Sequence, residues 1–234
     1  DIAKGTGNPS EYSTIMLRGV TSLLGGFTPL ILIDGVEGSL NTVSPENIAE
    51  ISVLKDASAA AIYGTRGASG VILITTKSGK RGERYNVSYS GYGAISDFAK
   101  TADFMDAAYM RSLGEEMSEY TAFPDLGEDT DWLGLVSRTG WVQNHNISLE
   151  GGTESMTYSA NVSYRQNEGV IKGSFANDLR AQMDISQYLF NDILKVRLNM
   201  LKSISESDNQ ESEHIYHQAV TRNPTSPVYT EDGD

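Results

Sequence analysis

The sequence contains no cysteine among its 234 residues. This absence excludes disulfide bonds, zinc–thiolate sites and thiol nucleophiles. Basic residues are also scarce, with 18 Lys and Arg against 31 Asp and Glu and a formal net charge of −13. Because proteins bind nucleic acids through a basic face, this balance argues against a nucleic acid partner. No apolar run approaches the roughly 20 residues that a membrane-spanning helix requires.

Catalytic and metal-binding patterns are missing from the sequence as well. There is no GxSxG pattern, which would mark a serine hydrolase, and the three histidines are His145, His214 and His217. The His214-x-x-His217 spacing could place both rings on one helix face near Glu211 or Glu213, but no HExxH pattern or further ligand accompanies it. We therefore predict no enzymatic activity, no metal site and no cofactor.

Residues 53–77, VLKDASAAAIYGTRGASGVILITTK, carry the densest pattern in the chain. Asp56 stands where a helix N-cap belongs, before an alanine-rich run at 57–63 that suits two helical turns. Gly64 can end that helix at positive φ. The β-branched run at 71–76 is apolar on both faces, which predicts a buried strand.

Three glycines, Gly64, Gly67 and Gly70, follow one another at three-residue intervals. A phosphate cradle is one explanation, but the spacing is not GxGxxG. The glycines also follow a helix and lead into a strand, which is the reverse of a dinucleotide-binding fingerprint. We therefore interpret them as turn glycines.

From residue 85 onward, apolar and polar residues alternate in segments. The segment at 156–165 alternates for ten residues without a break, and shorter ones occupy 85–90, 147–150, 179–186 and 194–200. Such alternation is typical of a transmembrane β-barrel, with a lipid face and a lumen face. A soluble β-sandwich would alternate too, with its apolar face in the core.

The links between these five predicted strands favour a barrel. Long links at 98–141 and after 203 alternate with a Gly151-Gly152 turn and a brief link near 190–192, and the third link is predicted at about a dozen residues. Five strands cannot close a barrel, for which about eight is the practical minimum. We therefore expect the chain to be a piece of a longer polypeptide.

The acidity is concentrated in the two long links. Residues 100–131 hold 9 acidic and 2 basic residues, and residues 205–234 hold 7 and 1. These links are either solvated surface or sites for divalent cations or substrate. Aromatic residues could stack on sugar rings or could serve packing and the membrane interface; they include Tyr92, Tyr109, Trp132 and Trp141.

Several motifs occur together in a characteristic order. They are LRG at 17–19, PLILIDGV at 29–36, LKDASAAAIYGTRGASGVILITTK at 54–77, QNHN at 143–146 and NPTSPVY at 223–229. Together they resemble the SusC/RagA branch of TonB-dependent outer-membrane transporters from Bacteroidetes, and the resemblance covers nearly the whole chain.

The resemblance implies a fold in two parts. Residues 1–80 would form an α+β plug domain, and residues 81–234 would form the first antiparallel strands of a large transmembrane β-barrel of about 22 strands with a plugged lumen. About five strands with long extracellular loops are expected in this chain. The family motifs assign architectural positions in the plug, not substrate ligands, to Arg18, Gly19, Asp34, Gly35, Asp56, Gly64, Gly67 and Gly70.

The resemblance also implies a function. It is nutrient uptake, the TonB-dependent import of oligosaccharides, or of peptides in some members, across the bacterial outer membrane. A SusD-like surface lipoprotein would act as a lid, and TonB would bind through a segment absent from this chain. The alternative from another class is a secreted, acidic β-sandwich that binds carbohydrate.

Overall fold

The structure is a computed structural model in which two β-sheets, one small and one large, pack against each other. The residues that it describes are 2–3, 9, 14–15, 28–54, 62–67, 69–116, 124–208 and 212–229. Within these residues no helix is both long enough and apolar enough to cross a membrane.

The small sheet is mixed. The chain begins with a separate antiparallel pair, β1 (Ile2–Ala3) and β2 (Thr14–Ile15). The small sheet itself has four strands in the order β4-β3-β6-β5, of which β3 and β6 are parallel. The four strands are β3 (Leu30–Ile33), β4 (Val36–Glu37), β5 (Ile48–Leu54) and β6 (Val71–Thr76). The apolar run at 30–33 predicts a buried strand just as the run at 71–76 does, and both strands are confirmed.

Apolar side chains cover both faces of the small sheet, as its continuously apolar strands predict. On one face Ile33, Ile72 and Ile74 pack with Val43, and on the other Leu32 packs with Val71. The fold of this unit therefore has its own small core.

The run at 44–47, with Ser as N-cap, Pro at the first helical position and an acid in the first turn, predicts the start of a short helix. The structure has a single 3-10 turn there, Pro45–Asn47. Ser44 precedes it but makes no capping hydrogen bond to the backbone; its hydroxyl binds the Glu46 carboxylate instead. Ser44 therefore occupies the predicted N-cap position, but its hydroxyl does not cap the backbone, because a charged acceptor two residues away competes for it.

The large sheet consists of five antiparallel strands, each paired with its neighbours in sequence. The predicted strand count is confirmed, although every strand is longer than predicted. The strands are β7 (Asn86–Ser96), β8 (Gly140–Gly152), β9 (Met156–Glu168), β10 (Phe175–Leu189) and β11 (Leu194–Asp208).

The greater strand length corrects three details predicted from the sequence. The sequence predicts that His145 opens a strand, but His145 lies in the middle of β8. Gly151 and Gly152 end β8, so that the turn to β9 is 153–155. The link from β9 to β10 is 169–174, about half the predicted length. Polar residues at the strand ends hid these extensions, since they match turn composition as well as strand alternation.

Long and short links occupy opposite ends of the large sheet. The pairing of Ser96 with Gly140 places link 97–139 at the same end as link 169–174 and the segment after β11. Turns 153–155 and 190–193 lie at the other end. The long links contain helices α1 (Ala107–Glu116), α2 (Trp132–Val136) and α3 (Ser212–Thr221). Apolar residues at helical spacing predict a loop helix within 103–120, and α1 lies there.

The large sheet buries its polar face and exposes its apolar face, the opposite of a water-soluble protein. In β9, Asn161 and Ser163 are 4% and 2% exposed, whereas Val162 and Tyr164 are 47% and 37% exposed. The same pattern continues in β8 and β10, where Asn146, Ser148 and Asp184 are buried. A soluble sandwich would bury the apolar face. The polar face of this sheet packs against the small sheet, so the sandwich alternative does not fit.

Candidate functional site

Asp34 lies at the centre of the contact between the two sheets. It follows β3 in a tight turn, with φ of 50° at Asp34 and 87° at Gly35, and its side chain is only 4% exposed. Its carboxylate accepts hydrogen bonds from the Thr76 backbone N–H at 3.0 Å and from the Thr76 hydroxyl at 2.6 Å. These bonds fix the carboxylate at the end of β6, facing the large sheet.

The large sheet offers a cation and amide groups to this carboxylate. Arg197 of β11 lies 3.6 Å from Asp34 through Nη2 and donates from Nε to Asp184 at 2.6 Å. Asn199 donates to both carboxylates, at 3.4 Å to Asp34 and at 3.3 Å to Asp184. One guanidinium therefore bridges a buried carboxylate of each sheet.

Gln182 of β10 completes this group with a chain of neutral hydrogen bonds. Its amide nitrogen donates to Thr76 Oγ1 at 3.0 Å, and its amide oxygen accepts from Asn47 at 2.8 Å. We call Asp34, Thr76, Gln182, Asp184, Arg197 and Asn199 the polar hub. The hub joins the two sheets with charged and amide groups in a place where most domain interfaces have apolar side chains.

A second set of polar contacts lies beside the hub. Asn144 of β8 donates to the Glu46 carboxylate at 2.6 Å. Arg180 of β10 donates to the Asn41 carbonyl at 2.5 Å and pairs with Asp178 at 3.1 Å. The small sheet is thus held by side chains from β8, β10 and β11.

The linker between the sheets, residues 77–85, runs tightly across the turn end of the large sheet. Ser159 donates to the Lys77 carbonyl at 3.1 Å. A Cβ atom on Gly79 would lie 2.0 Å from the Gly151 carbonyl oxygen and 2.5 Å from that of Tyr158. Only glycine fits at position 79 without a backbone shift.

At the opposite end, the NPTSP segment ties the two long links together. The Thr225 hydroxyl is fully buried and accepts from Leu126 N at 3.0 Å. Asn223 donates to the Pro124 carbonyl at 2.8 Å and accepts at its own carbonyl from the Trp132 indole at 2.9 Å. The resulting unit, which we call the loop staple, orders segment 124–132 against the end of α3.

Next to the loop staple lies a cavity of about 600 Å³. Its lining combines aromatic rings with charged groups, including Phe98, Phe104, Trp132, Asp103, Asp106 and Arg222. The Arg222 guanidinium lies 4.2 Å from the Trp132 ring centroid. The Trp132 ring thus contacts Arg222 and its indole N–H is hydrogen-bonded to Asn223, so that Trp132 packs against the loop staple at the edge of the cavity.

Comparison with known proteins identifies the two sheets. Residues 2–71 match the TonB-dependent Receptor Plug Domain family. The chain is 32% identical to the TonB-dependent receptor SusC of Bacteroides thetaiotaomicron over 98% of its own length, and superposes on the RagAB peptide importer with a TM-score of 0.76 at 26% identity over 89% of its length. The chain belongs to the SusC/RagA type of TonB-dependent receptors. The small sheet is the plug, and the large sheet is part of the barrel wall.

The chain is much shorter than the receptors that it matches. It covers 24% of SusC and 28% of the RagAB chain. A second relative, the TonB-dependent receptor P26 of Formosa agariphila, is 30% identical over 99% of this chain, which covers 24% of that receptor.

Of the architectural residues predicted for the plug, some lie among the described residues of the receptor and others do not. Arg18, Gly19 and Asp56 lie outside the described residues. Gly64 and Gly70 have φ of +62° and +95°, as turn glycines should. Gly67 is buried at the end of the 3-10 helix Gly64–Gly67. The architectural roles that the family motifs assign to these residues stay predictions.

Sequence patterns identify Asp34 but none of its partners on the barrel wall. Gln182, Asp184 and Arg197 look like ordinary polar members of alternating strands. The sequence does contain one indication of these partners. A charged residue on the lumen-facing side of a wall strand, next to a buried plug carboxylate, needs a partner of opposite charge or a hydrogen bond. This indication can be used only when the strand register is known, because the register decides which wall residues face Asp34.

The histidine pair with metal-ligand spacing lies on α3. His214 is hydrogen-bonded to Gln218 at 2.7 Å. In the described part of the receptor, no group of three or more His, Asp or Glu side chains has the geometry to hold a metal ion.

Glu46 provides a pH-dependent contact between plug and wall. Burial raises the pKa of its carboxyl, but hydrogen bonds from Ser44, its own backbone N–H and Asn144 outweigh burial, and the net pKa is lowered. A carboxyl with a lowered folded-state pKa stabilises the fold above its ordinary pKa, and this stabilisation disappears as the pH falls.

We therefore expect Glu46→Gln to cost about 1 kcal/mol at neutral pH, after allowance for partial exposure to water. The cost should shrink as the pH falls below the ordinary carboxyl pKa, measured by urea unfolding between neutral and acidic pH. Glu50→Gln is the matched control, because Glu50 is exposed and accepts its hydrogen bond from Ser52 on the same strand of the plug. An equal pH dependence for both variants would contradict the assignment.

The loop staple gives a second prediction. Thr225→Val keeps the side-chain shape but leaves the Leu126 N–H without its acceptor, at a cost of roughly 1–3 kcal/mol. Amide exchange at Glu128 and Thr130, whose N–H groups bond to the Thr225 and Pro224 carbonyls, should accelerate by at least about fivefold. Thr221→Val, at an exposed position of α3 where the hydroxyl bonds back to the His217 carbonyl, should leave these rates unchanged.

Proposed function

We propose that this receptor imports oligosaccharides or peptides across the bacterial outer membrane, driven by TonB. The observation that carries the proposal is the reversed polarity of the large sheet. Its exposed face offers Val162, Tyr164, Leu198 and Met200, which suits lipid, and its buried face is polar, which suits a barrel lumen. The family of its relatives supports the same conclusion, since TonB-dependent receptors are outer-membrane proteins.

The plug would block the lumen until substrate arrives. A ligand can move the plug only by binding the two plug positions with different affinity. The polar hub supports a movable plug, because water or substrate can replace each of its hydrogen bonds once the contact opens. An apolar interface of equal size would lose its hydrophobic stabilisation with no such replacement.

The ends of the sheet suggest the orientation. Outer-membrane barrels have short periplasmic turns and long extracellular loops, so turns 153–155 and 190–193 would face the periplasm. The loop staple would then lie outside the cell, where a SusD-like lipoprotein would act as a lid. TonB would act on the plug from the periplasmic side.

Site-directed labelling of the full-length receptor in membranes tests the orientation of the wall. The chain has no native cysteine, so single cysteines at 161, 162, 163 and 164 can be compared directly. A bilayer-soluble thiol reagent should react at 162 and 164 and not at 161 and 163. Equal reaction of a water-soluble maleimide at all four positions would contradict a lipid-facing wall.

Uptake measurements test the transport itself. A strain that lacks the receptor gene should fail to accumulate a labelled oligosaccharide or peptide, and the full-length gene should restore uptake. Collapse of the proton-motive force should abolish the restored uptake. The relative RagAB is named a peptide importer, so peptides and oligosaccharides should be tested side by side.

A further inference from the structure

The linker that leaves the plug is docked on the periplasmic rim of the wall. Gly82 donates to the Thr153 carbonyl at 3.3 Å, and Gly152 donates to the Glu83 carbonyl at 3.1 Å. A Cβ on Gly152 would lie 2.4 Å from the Lys80 carbonyl oxygen. The linker backbone therefore lies directly against the β8–β9 turn and has little room to shift.

The neighbouring turn, between β10 and β11, has an unusual backbone. Three consecutive non-glycine residues, Phe190, Asn191 and Asp192, have φ of 53°, 55° and 71°. Residues with a Cβ atom seldom adopt the left-handed region, and a run of three is rarer still. Asn and Asp tolerate it best, but Phe190 does not, so the surrounding contacts must hold this turn in place.

Arg81 of the linker supplies such contacts. Its guanidinium donates through Nη1 and Nη2 to the two Asp192 carboxylate oxygens, each at 2.7 Å. The same guanidinium lies 3.5 Å from the ring centroid of Tyr188. Hydrogen bonding to Arg81 lowers the pKa of the Asp192 carboxyl, which keeps the pair charged.

This pair differs from an ordinary surface ion pair. Exposed pairs on freely rotating side chains contribute little. Arg81 is bound in the two-pronged geometry that matches a carboxylate, it stacks on an aromatic ring, and both partners stand on constrained backbone. The same linker also holds a contrasting pair, Lys80 and Glu83, which lie 3.5 Å apart with side chains 78% and 58% exposed. Asp192 is equally exposed at 58%, but Arg81 is only 34% exposed and meets it through two hydrogen bonds.

We propose that Arg81, Tyr188 and Asp192 form a clamp that anchors the trailing end of the plug to the periplasmic rim of the barrel. In this arrangement Arg81 is a positioning residue for transport. When the plug is displaced, the hydrogen bonds of the polar hub break but the linker stays bound at the clamp. The plug therefore moves about the clamp as a fixed point and can return to its original position. The inference rests on the proposed transport function.

Amide exchange of the full-length receptor tests the clamp without any substrate. Asp192→Asn removes the charge and one acceptor but leaves the linker sequence intact. We expect exchange in residues 79–84 to accelerate by about five- to tenfold. Glu83→Gln, which breaks the exposed pair in the same linker, should leave exchange there unchanged. Equal effects of the two variants, or no effect of Asp192→Asn, would overturn the clamp.

A permeability assay in cells tests its role in transport. With the anchor loosened, the plug should leave its seat more often, and cells with Asp192→Asn should become several-fold more sensitive to a large hydrophilic antibiotic. Tyr188→Leu removes the stacking ring together with a hydroxyl that hydrogen-bonds Lys195 and Arg81, and it should act in the same direction. Faster linker exchange with unchanged sensitivity in both variants would overturn the positioning role. Wild-type uptake is measured separately, so failure of the transport proposal is distinguishable from failure of the clamp.

Discussion

Replacing Gly79 with alanine is expected to destabilise the folded receptor far more than the addition of one methyl group to a turn usually does. The new Cβ would lie 2.0 Å from the Gly151 carbonyl oxygen and 2.5 Å from that of Tyr158. Both are backbone atoms of paired strands, so no side-chain rotation can relieve the clash. Forcing extra volume into a packed site costs about 1–3 kcal/mol, and more where backbone has to move.

Gly64→Ala is the matched control for this substitution. A Cβ there would meet nothing within 4 Å, although φ is +62°. Alanine at 64 should therefore cost only about 1 kcal/mol, from backbone strain alone. The measurement is the folded fraction of full-length receptor on a heat-modifiable gel, followed by urea unfolding. A larger loss for Gly64→Ala than for Gly79→Ala would refute the close approach of linker and wall.

Arg197→Met is expected to detach the plug from the wall. The substitution preserves much of the side-chain length but leaves the carboxylates of Asp34 and Asp184, 4% and 3% exposed, without their shared cation. Breaking a fully buried ion pair by removing one partner costs about 3–5 kcal/mol, because an uncompensated buried charge remains. The Arg197 side chain is 38% exposed, so we expect a smaller cost here, about 2–3 kcal/mol. The hub amides do not replace the missing positive charge.

The exposed pair of Arg66 and Glu37 provides the comparison. Its atoms approach to 2.7 Å, with side chains 72% and 59% exposed, so Arg66→Met should cost at most about 1 kcal/mol. Urea unfolding of the two variants in detergent, with plug exchange followed at Thr76, separates the cases. If both variants lose the same stability, the hub does not hold the plug.

The features that could be predicted from the sequence are those determined by residues close to one another in the chain. The β-branched run predicted strand 71–76 with its observed bounds, and the alternation predicted five wall strands. The positive φ of Gly64 followed from its place after an alanine-rich run. Each of these depends on neighbours within a few residues, where backbone preferences decide the outcome.

The features that could not be predicted depend on distant partners. Asn47 and Gln182 are 135 positions apart, and Asp34 and Asn199 are 165 apart. Nothing in either segment indicates which polar residue faces which. At Ser44 the local sequence predicted the N-cap position correctly, but the expected capping bond is absent because Glu46 competes for the hydroxyl.

The order of the wall strands has a consequence for assembly. Every strand of the large sheet pairs with its neighbours in sequence, so the wall can grow one hairpin at a time through contacts of short sequence separation, which form fastest. The hub contacts between plug and wall join distant parts of the chain and carry the largest loop-closure entropy. We therefore expect the strands of the barrel wall to pair before the plug docks against them during biogenesis. The permeability barrier is then complete only when the slow-forming contacts between plug and wall are made.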